Sequence, residues 1–279
     1  MFDDEENTLG RFIRYGFLAA SFLLLGVAGQ VWPVDWGNCQ RAGASVLKPD
    51  VTIPACSLII DADKASQKDL AIAYYRRGRG YHKQGNLDSA IADYGRAIGL
   101  NPDLARAYSN RGFAYGGKGE LDRAVASYKK AAALGDANGQ ATLGLLYARG
   151  EGVVRDFAAA TMWLRRAAEK SHADAQLLLG LMHYDGKGVP LDYRQAMKWF
   201  QLAAGQGNAI AQFSLGLMYG KGEGVTQDYV QAHLWFNLAA EQGDTDAAEF
   251  CDSVAAKMTR DQITEAQRLA REWRPSAER

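Results

Sequence analysis

The sequence predicts an all-α protein, a right-handed solenoid of stacked helix–turn–helix units. Two internal periods and a recurring glycine turn predict it. Gly78 recurs as Gly112 at a spacing of 34, and Gly144 recurs as Gly180 and Gly216 at a spacing of 36. The turn Gly150-Glu151-Gly152-Val153 returns as Gly186-Lys187-Gly188-Val189 and Gly222-Glu223-Gly224-Val225. Self-similarity at such periods marks repeat architectures.

The chain opens with an apolar stretch, Phe17 to Gly29, preceded by Arg11 and Arg14 and followed by no cation until Arg41. That asymmetry keeps the start in the cytoplasm and exports the remainder. The stretch fits a signal-peptide core, with a cleavage site at Gly26-Val27-Ala28. Counted from Tyr15 to Val34, it also reaches the ~20 residues that span a bilayer. Trp32 and Trp36 suit an interface and favour an uncleaved anchor, although Asp3, Asp4, Glu5 and Glu6 are unusual before a signal. A buried core helix is the bland alternative. Residues 1–35 are therefore read as a signal or anchor segment, and 36–70 as a loop plus a half-repeat helix over Ile53 to Lys64.

Export places Cys39 and Cys56 in an oxidising compartment, where they are expected to pair and pin the Lys48-Pro49-Asp50 loop onto the first helix. Closing that loop is worth roughly 3 kcal/mol in the chain-entropy model. Two free buried thiols are the alternative. Cys251 is expected to pack in the core.

Residues 71–136 hold two units. Ala73-Tyr74-Tyr75-Arg76-Arg77-Gly78 aligns with Ala107-Tyr108-Ser109-Asn110-Arg111-Gly112, and Gly85-Asn86-Leu87-Asp88 with Gly119-Glu120-Leu121-Asp122. Residues 137–242 hold three longer units. In the middle one, Ala175, Leu178, Leu179 and Met182 have the spacing of an amphipathic helix. Asp185-Gly186-Lys187-Gly188 breaks it, Asp192 caps the next helix, and Ala196, Trp199, Phe200 and Ala203 line its buried face. Trp163, Trp199 and Trp235 each fill the same slot between helices. Residues 243–274 read as two helices with a polar outer face (Gln262, Glu265, Gln267, Arg268), the cap that an open solenoid end requires. Trp273 folds back on the last repeat, and 275–279 are expected to be disordered.

Tyr74, Gly78, Tyr81, Ala90, Tyr94, Ala97 and Pro102, then Tyr108, Gly112, Tyr115, Ala124, Tyr128 and Ala131, resemble the signature of tetratricopeptide (TPR) repeats. The second unit departs at the final proline, where Asp136 stands. The three longer units resemble Sel-one-like repeats. The first of them is the most degenerate, with Gly139 where the others have Ala175 and Ala211. The resemblance covers about 170 residues and implies an interaction scaffold in a bacterial envelope.

With 279 residues, zero net charge and ordinary globular usage (48% hydrophobic, 23% charged), no global field favours nucleic acid. The three cysteines and four scattered histidines (His82, His172, His183, His233) give no zinc spacing. No phosphate loop, serine elbow, metalloprotease or dinucleotide motif occurs. The chain is therefore read as no enzyme, with no cofactor and no metal. Some secreted Sel-one-like proteins are associated with β-lactam hydrolysis. A β-lactamase-like hydrolase is the alternative in another class, but these repeats lack a cysteine pair each and a nucleophile motif. A cytosolic TPR adaptor is a further alternative.

Binding is expected on the concave face, lined by the first helix of each unit. The resemblance places Tyr75, Arg79, His82 and Lys83 there in the first unit, and Arg106, Ser109, Asn110 and Phe113 in the second. Arg79, Lys83 and Asn110 suit an acidic or C-terminal carboxylate of a protein or peptide. Asn110 matches one position of the TPR carboxylate clamp, Tyr75 stands at its lysine position, and the third clamp repeat is absent. Gln176, Gln212, Tyr184 and Lys221 are further candidate surface contributors. The expected location is the inner membrane with the solenoid in the periplasm, or the periplasm itself after cleavage.

Overall fold

A computed structural model describes residues 37–39, 48–62 and 65–275. The proposed membrane segment, Trp32 and Trp36 lie outside them, as does most of the tail expected to be disordered. Among the described residues the chain is helical without strands, and no helix is long and apolar enough to cross a membrane.

The helices run as α1 (Pro49–Ile60), α2 (Gln67–Lys83), α3 (Leu87–Leu100), α4 (Ala105–Gly117), α5 (Leu121–Ala133), α6 (Ala137–Arg149) and α7 (Phe157–Ala168). There follow α8 (Ala173–Asp185), α9 (Tyr193–Gly205), α10 (Ala209–Lys221), α11 (Tyr229–Ala240), α12 (Thr245–Ala255) and α13 (Arg260–Glu272). Through α12 each packs chiefly on its sequence neighbours, so hairpins stack in chain order. First helices of successive units approach one another more closely than second helices do, which sets α2, α4, α6, α8 and α10 on the inner side.

The helix starts follow the sequence. Asp136, Asp156, Asp192, Asn208, Asp228 and Asp244 each accept a hydrogen bond from a first-turn amide. His172 does the same through its ring. One expected loop is instead a helix start. Lys48 is the N-cap of α1 and Pro49 sits in its first turn, where the missing N–H costs nothing.

Inside each hairpin, the glycine of the first helix lies against a large side chain of the second. A Cβ at Gly78, Gly112, Gly144, Gly180 or Gly216 would lie between 2.6 and 2.9 Å from Tyr94, Tyr128, Leu164, Phe200 or Phe236. These partners are themselves buried. The longer units gain two turn glycines. Gly186 and Gly188 have φ of 69° and 73°, a region L side chains resist. Gly188 also rests directly on the backbone of Phe157, and Gly224 on that of Tyr193, so the turn docks on the preceding repeat. The indoles occupy equivalent places: Trp163, Trp199 and Trp235 pack on successive core clusters.

Gly139 marks the seam between the two kinds of unit. A Cβ there would lie 2.6 Å from Ala131 Cβ and 2.9 Å from Ser109 Oγ. What reads as degeneracy in the sequence is a steric requirement where α6 meets α4 and α5.

The two ends are secured by different contacts. Cys39 and Cys56 form a disulfide, Cα atoms 5.0 Å apart, and both are fully buried. The carbonyl of Cys39 accepts from Arg76 at 2.7 Å. At the other end α13 packs on α11, and Trp273 meets Trp235 edge-on at 6.5 Å. Cys251 is only partly buried; burial pushes its thiol up to about 11, so it stays protonated at neutral pH.

Candidate functional site

Tyr75 on α2 and Asn110 on α4 meet across the first inter-repeat groove. The Asn110 amide donates to the Tyr75 hydroxyl at 3.3 Å. The Arg79 guanidinium stands 6.0 Å over the Tyr75 ring, which is 6.1 Å from the buried ring of Tyr94. Burial raises the Tyr75 pKa, while the charges of Arg79 and Arg106 and the Asn110 amide pull it down. The phenol therefore stays neutral within a basic neighbourhood.

The remaining predicted residues surround this pair. His82 packs edge-on against Tyr94 at 6.5 Å, and burial lowers its pKa. Lys83 is exposed at the end of α2, and Arg106 is exposed in the first turn of α4. Phe113 is 42% exposed and holds its ring against Tyr128 at 5.3 Å.

Three expected surface residues are buried. Ser109 is enclosed and donates to Asp136 Oδ2 at 2.5 Å. Gln176 and Gln212 are interior too. Their side-chain amides donate to the carbonyls of Ala168 and Ala204, at 3.1 and 3.5 Å, and their oxygens accept from Gln206 and Gln242 at 2.7 Å. Each glutamine thus ties the ends of two second helices to the first helix between them. Tyr184 is half-buried and donates to Glu223 at 2.7 Å, with Lys221 3.5 Å away.

The sequence reading missed the far side of the patch. Arg106, Asp136, Asn138 and Lys170 line a cavity of about 610 Å³ where α4, α6 and the turn before α8 converge. The Asp136 carboxylate accepts from Ser109 and from the amide of Gly139 at 2.9 Å, Lys170 donates to the Gly135 carbonyl, and Arg106 is exposed, so the cavity carries two cations and one carboxylate. Asp136 stood out in the sequence only as a missing proline. Lys170 was not singled out in the sequence at all. Among the described residues no group of His, Cys, Asp or Glu is arranged to hold a metal ion.

Stacked helical hairpins with a polar, partly aromatic inner face define a helical-repeat protein. The Sel1 repeat family matches residues 137–172, 173–208 and 209–244. The TPR repeat and tetratricopeptide repeat families match 78–119 and 105–134. The chain thus carries TPR and Sel1 repeats, and proteins built of such repeats are generally protein-interaction scaffolds.

A Sel1 repeat protein from Oxalobacter formigenes is 27% identical, with TM-score 0.60, covering 71% of this chain and 82% of its own. The protein c5321, a protective antigen of uropathogenic Escherichia coli with this repeat fold, is 25% identical with TM-score 0.60. It covers 88% of this chain, and the match spans 56% of its own length. PilF of Pseudomonas aeruginosa, 22% identical with TM-score 0.54, covers 76% of this chain and 96% of its own and shows the fold alone. No curated protein sequence matches.

Proposed function

We propose that this chain is a non-catalytic adaptor of the bacterial envelope that holds an acidic peptide segment of a partner protein on its inner face. The observation that carries this reading is the placement of Arg106 and Lys170 at the rim of one cavity, beside the Tyr75–Asn110 pair. The two cations outnumber the one carboxylate, Asp136, whose oxygen is taken up by Ser109 and Gly139, and cations favour carboxylates through charge-assisted hydrogen bonds. Phe113, exposed one turn beyond Asn110, offers an apolar contact for the neighbouring peptide residue. The apolar stretch Tyr15 to Val34 and the Cys39–Cys56 disulfide support an exported solenoid tethered at its start.

The test is fluorescence anisotropy with labelled acidic peptides, free and amidated at the C-terminus. Arg106→Ala with Lys170→Ala weakens binding about tenfold or more, since each lost charged hydrogen bond is worth ~1.5–3 kcal/mol. Equal affinity of the double variant and the parent rejects the site. A periplasm-dependent reporter fused after Arg279 checks the location, and a silent reporter rejects export.

A further inference from the structure

The two ends of the solenoid are finished differently. At the C-terminal end, α13 turns polar residues outward: Glu265, Arg268 and Glu272 are exposed and joined in ion pairs. At the N-terminal end, α1 buries Thr52, Ala55, Cys56 and Ile59 against the stack. Its opposite face carries Val51, Pro54 and Leu58, all exposed, with Leu58 57% accessible. No charged residue lies between Val51 and Ile60. A helix apolar on both faces is built to be covered on both, and a terminal repeat that meets only water needs a polar outer face.

The covalent path points to what covers it. The disulfide fixes Cys39 to α1, Cα atoms 5.0 Å apart. Val34, the last residue of the apolar stretch, precedes Cys39 by five residues, a reach of about 18 Å at full extension. An anchor ending at Val34 therefore brings α1 to the bilayer surface. We propose that the Val51–Pro54–Leu58 face of α1 docks on the phospholipid interface, so that the solenoid stands end-on at the membrane with its later repeats extending away from the lipid. The three side chains sink into the headgroup–acyl boundary, as the apolar face of an interfacial helix does, and Lys48 at the start of α1 meets lipid phosphate. The proposal rests on the anchored reading above.

The experiment uses the full chain, oxidised, in vesicles of phosphatidylethanolamine and phosphatidylglycerol. An environment-sensitive fluorophore is placed at Leu58→Cys, in a Cys251→Ser background, with Val51→Cys as a second probe of the same face. Leu202→Cys, exposed on α9, is the control. Expected are a blue shift and a loss of emission to nitroxide-bearing lipid at 58 and 51, and neither at 202. Chain that floats with the vesicles but shows no quenching at 58 and 51 overturns the docking while leaving the anchor intact. A blue shift without quenching by lipid assigns the face to a protein contact, the chain's own N-terminal segment or a second copy, and also overturns it. Chain that fails to float defeats the anchor, and the docking with it.

Discussion

The TPR half and the Sel1 half solve the same packing problem with different chemistry at one position. The residue before the first-helix glycine is Arg77 or Arg111 in the TPR units and Leu143, Leu179 or Leu215 in the Sel1 units. Arg77 forks onto Asp93 at 2.7 and 2.9 Å and reaches Ser57 at 3.0 Å, tying α1, α2 and α3 together. Arg111 has a weaker partner, Ser127 at 3.3 Å. Leu143, Leu179 and Leu215 are fully buried and rely on apolar contact. The polar linkage of the Sel1 half has moved to the buried glutamines. A helical hairpin can thus be held by a charged fork or by an oil-filled centre with an amide tie. The two respond differently to damage, because a broken ion pair leaves a buried charge behind.

The largest expected effect lies in the TPR half. Asp93→Ala strands the Arg77 guanidinium and costs about 3–5 kcal/mol in urea unfolding. Ser127→Ala, its counterpart one repeat on, costs about 1 kcal/mol. Equal losses at the two sites would break the distinction between a fork and a simple hydrogen bond. Next comes the seam. Gly139→Ala drives a methyl into Ala131 and Ser109 and costs about 1–3 kcal/mol. Because the strain falls between the halves, their unfolding separates into two steps by calorimetry, and a single undiminished transition would count against Gly139 as the joint.

Smaller is a gain. The Gln140 amide donates to the Ala132 carbonyl at 3.2 Å, but its buried oxygen has no hydrogen-bond partner, since Lys170 stands where Gln206 and Gln242 serve the next two units. Lys170→Gln supplies that donor and stabilises by about 1 kcal/mol, read as a raised thermal midpoint. An unchanged or lowered midpoint would deny that the three rungs are equivalent.

The last effect is acid sensitivity. Burial pushes His183 and His233, both in the Sel1 half, below their ordinary values, with Arg165 adding to the effect at His183. The unfolded chain, titrating near 6.5, binds protons that the folded chain refuses. Their contribution is therefore complete above about pH 6.5 and declines as pH falls toward the folded values. The midpoint should drop between pH 7 and 5, less so in His183→Gln. A flat profile would contradict it.

The fold was legible because its determinants recur. The packing glycine recurs in all five units, and the indole and the turn glycines recur in all three longer ones, so an accidental match in one unit is corrected by the others. The candidate site was legible only in part. Tyr75, Arg79, Arg106 and Asn110 could be placed on the inner face because first helices repeat. Ser109, Gln176 and Gln212 were misread as surface because their partners are invisible in sequence. A carboxylate 27 residues away and backbone carbonyls of the preceding helix are what permit those polar groups to be buried. The Arg77–Asp93 fork joins two helices and shows no local pattern at all.

The glutamine rungs also bear on how such a chain can change in length. Gln176 and Gln212 make the same bonds, to Ala168 and Gln206 in one case and to Ala204 and Gln242 in the other. Excising or copying one block of 36 residues, such as 173–208, keeps each glutamine beside an equivalent alanine carbonyl. A genetic duplication or deletion in this stretch would thus extend or shorten the rod in whole steps while keeping the glutamine ties. The seam at Gly139 has no such freedom, so the end that holds the candidate peptide site stays constant while the other end is free to grow.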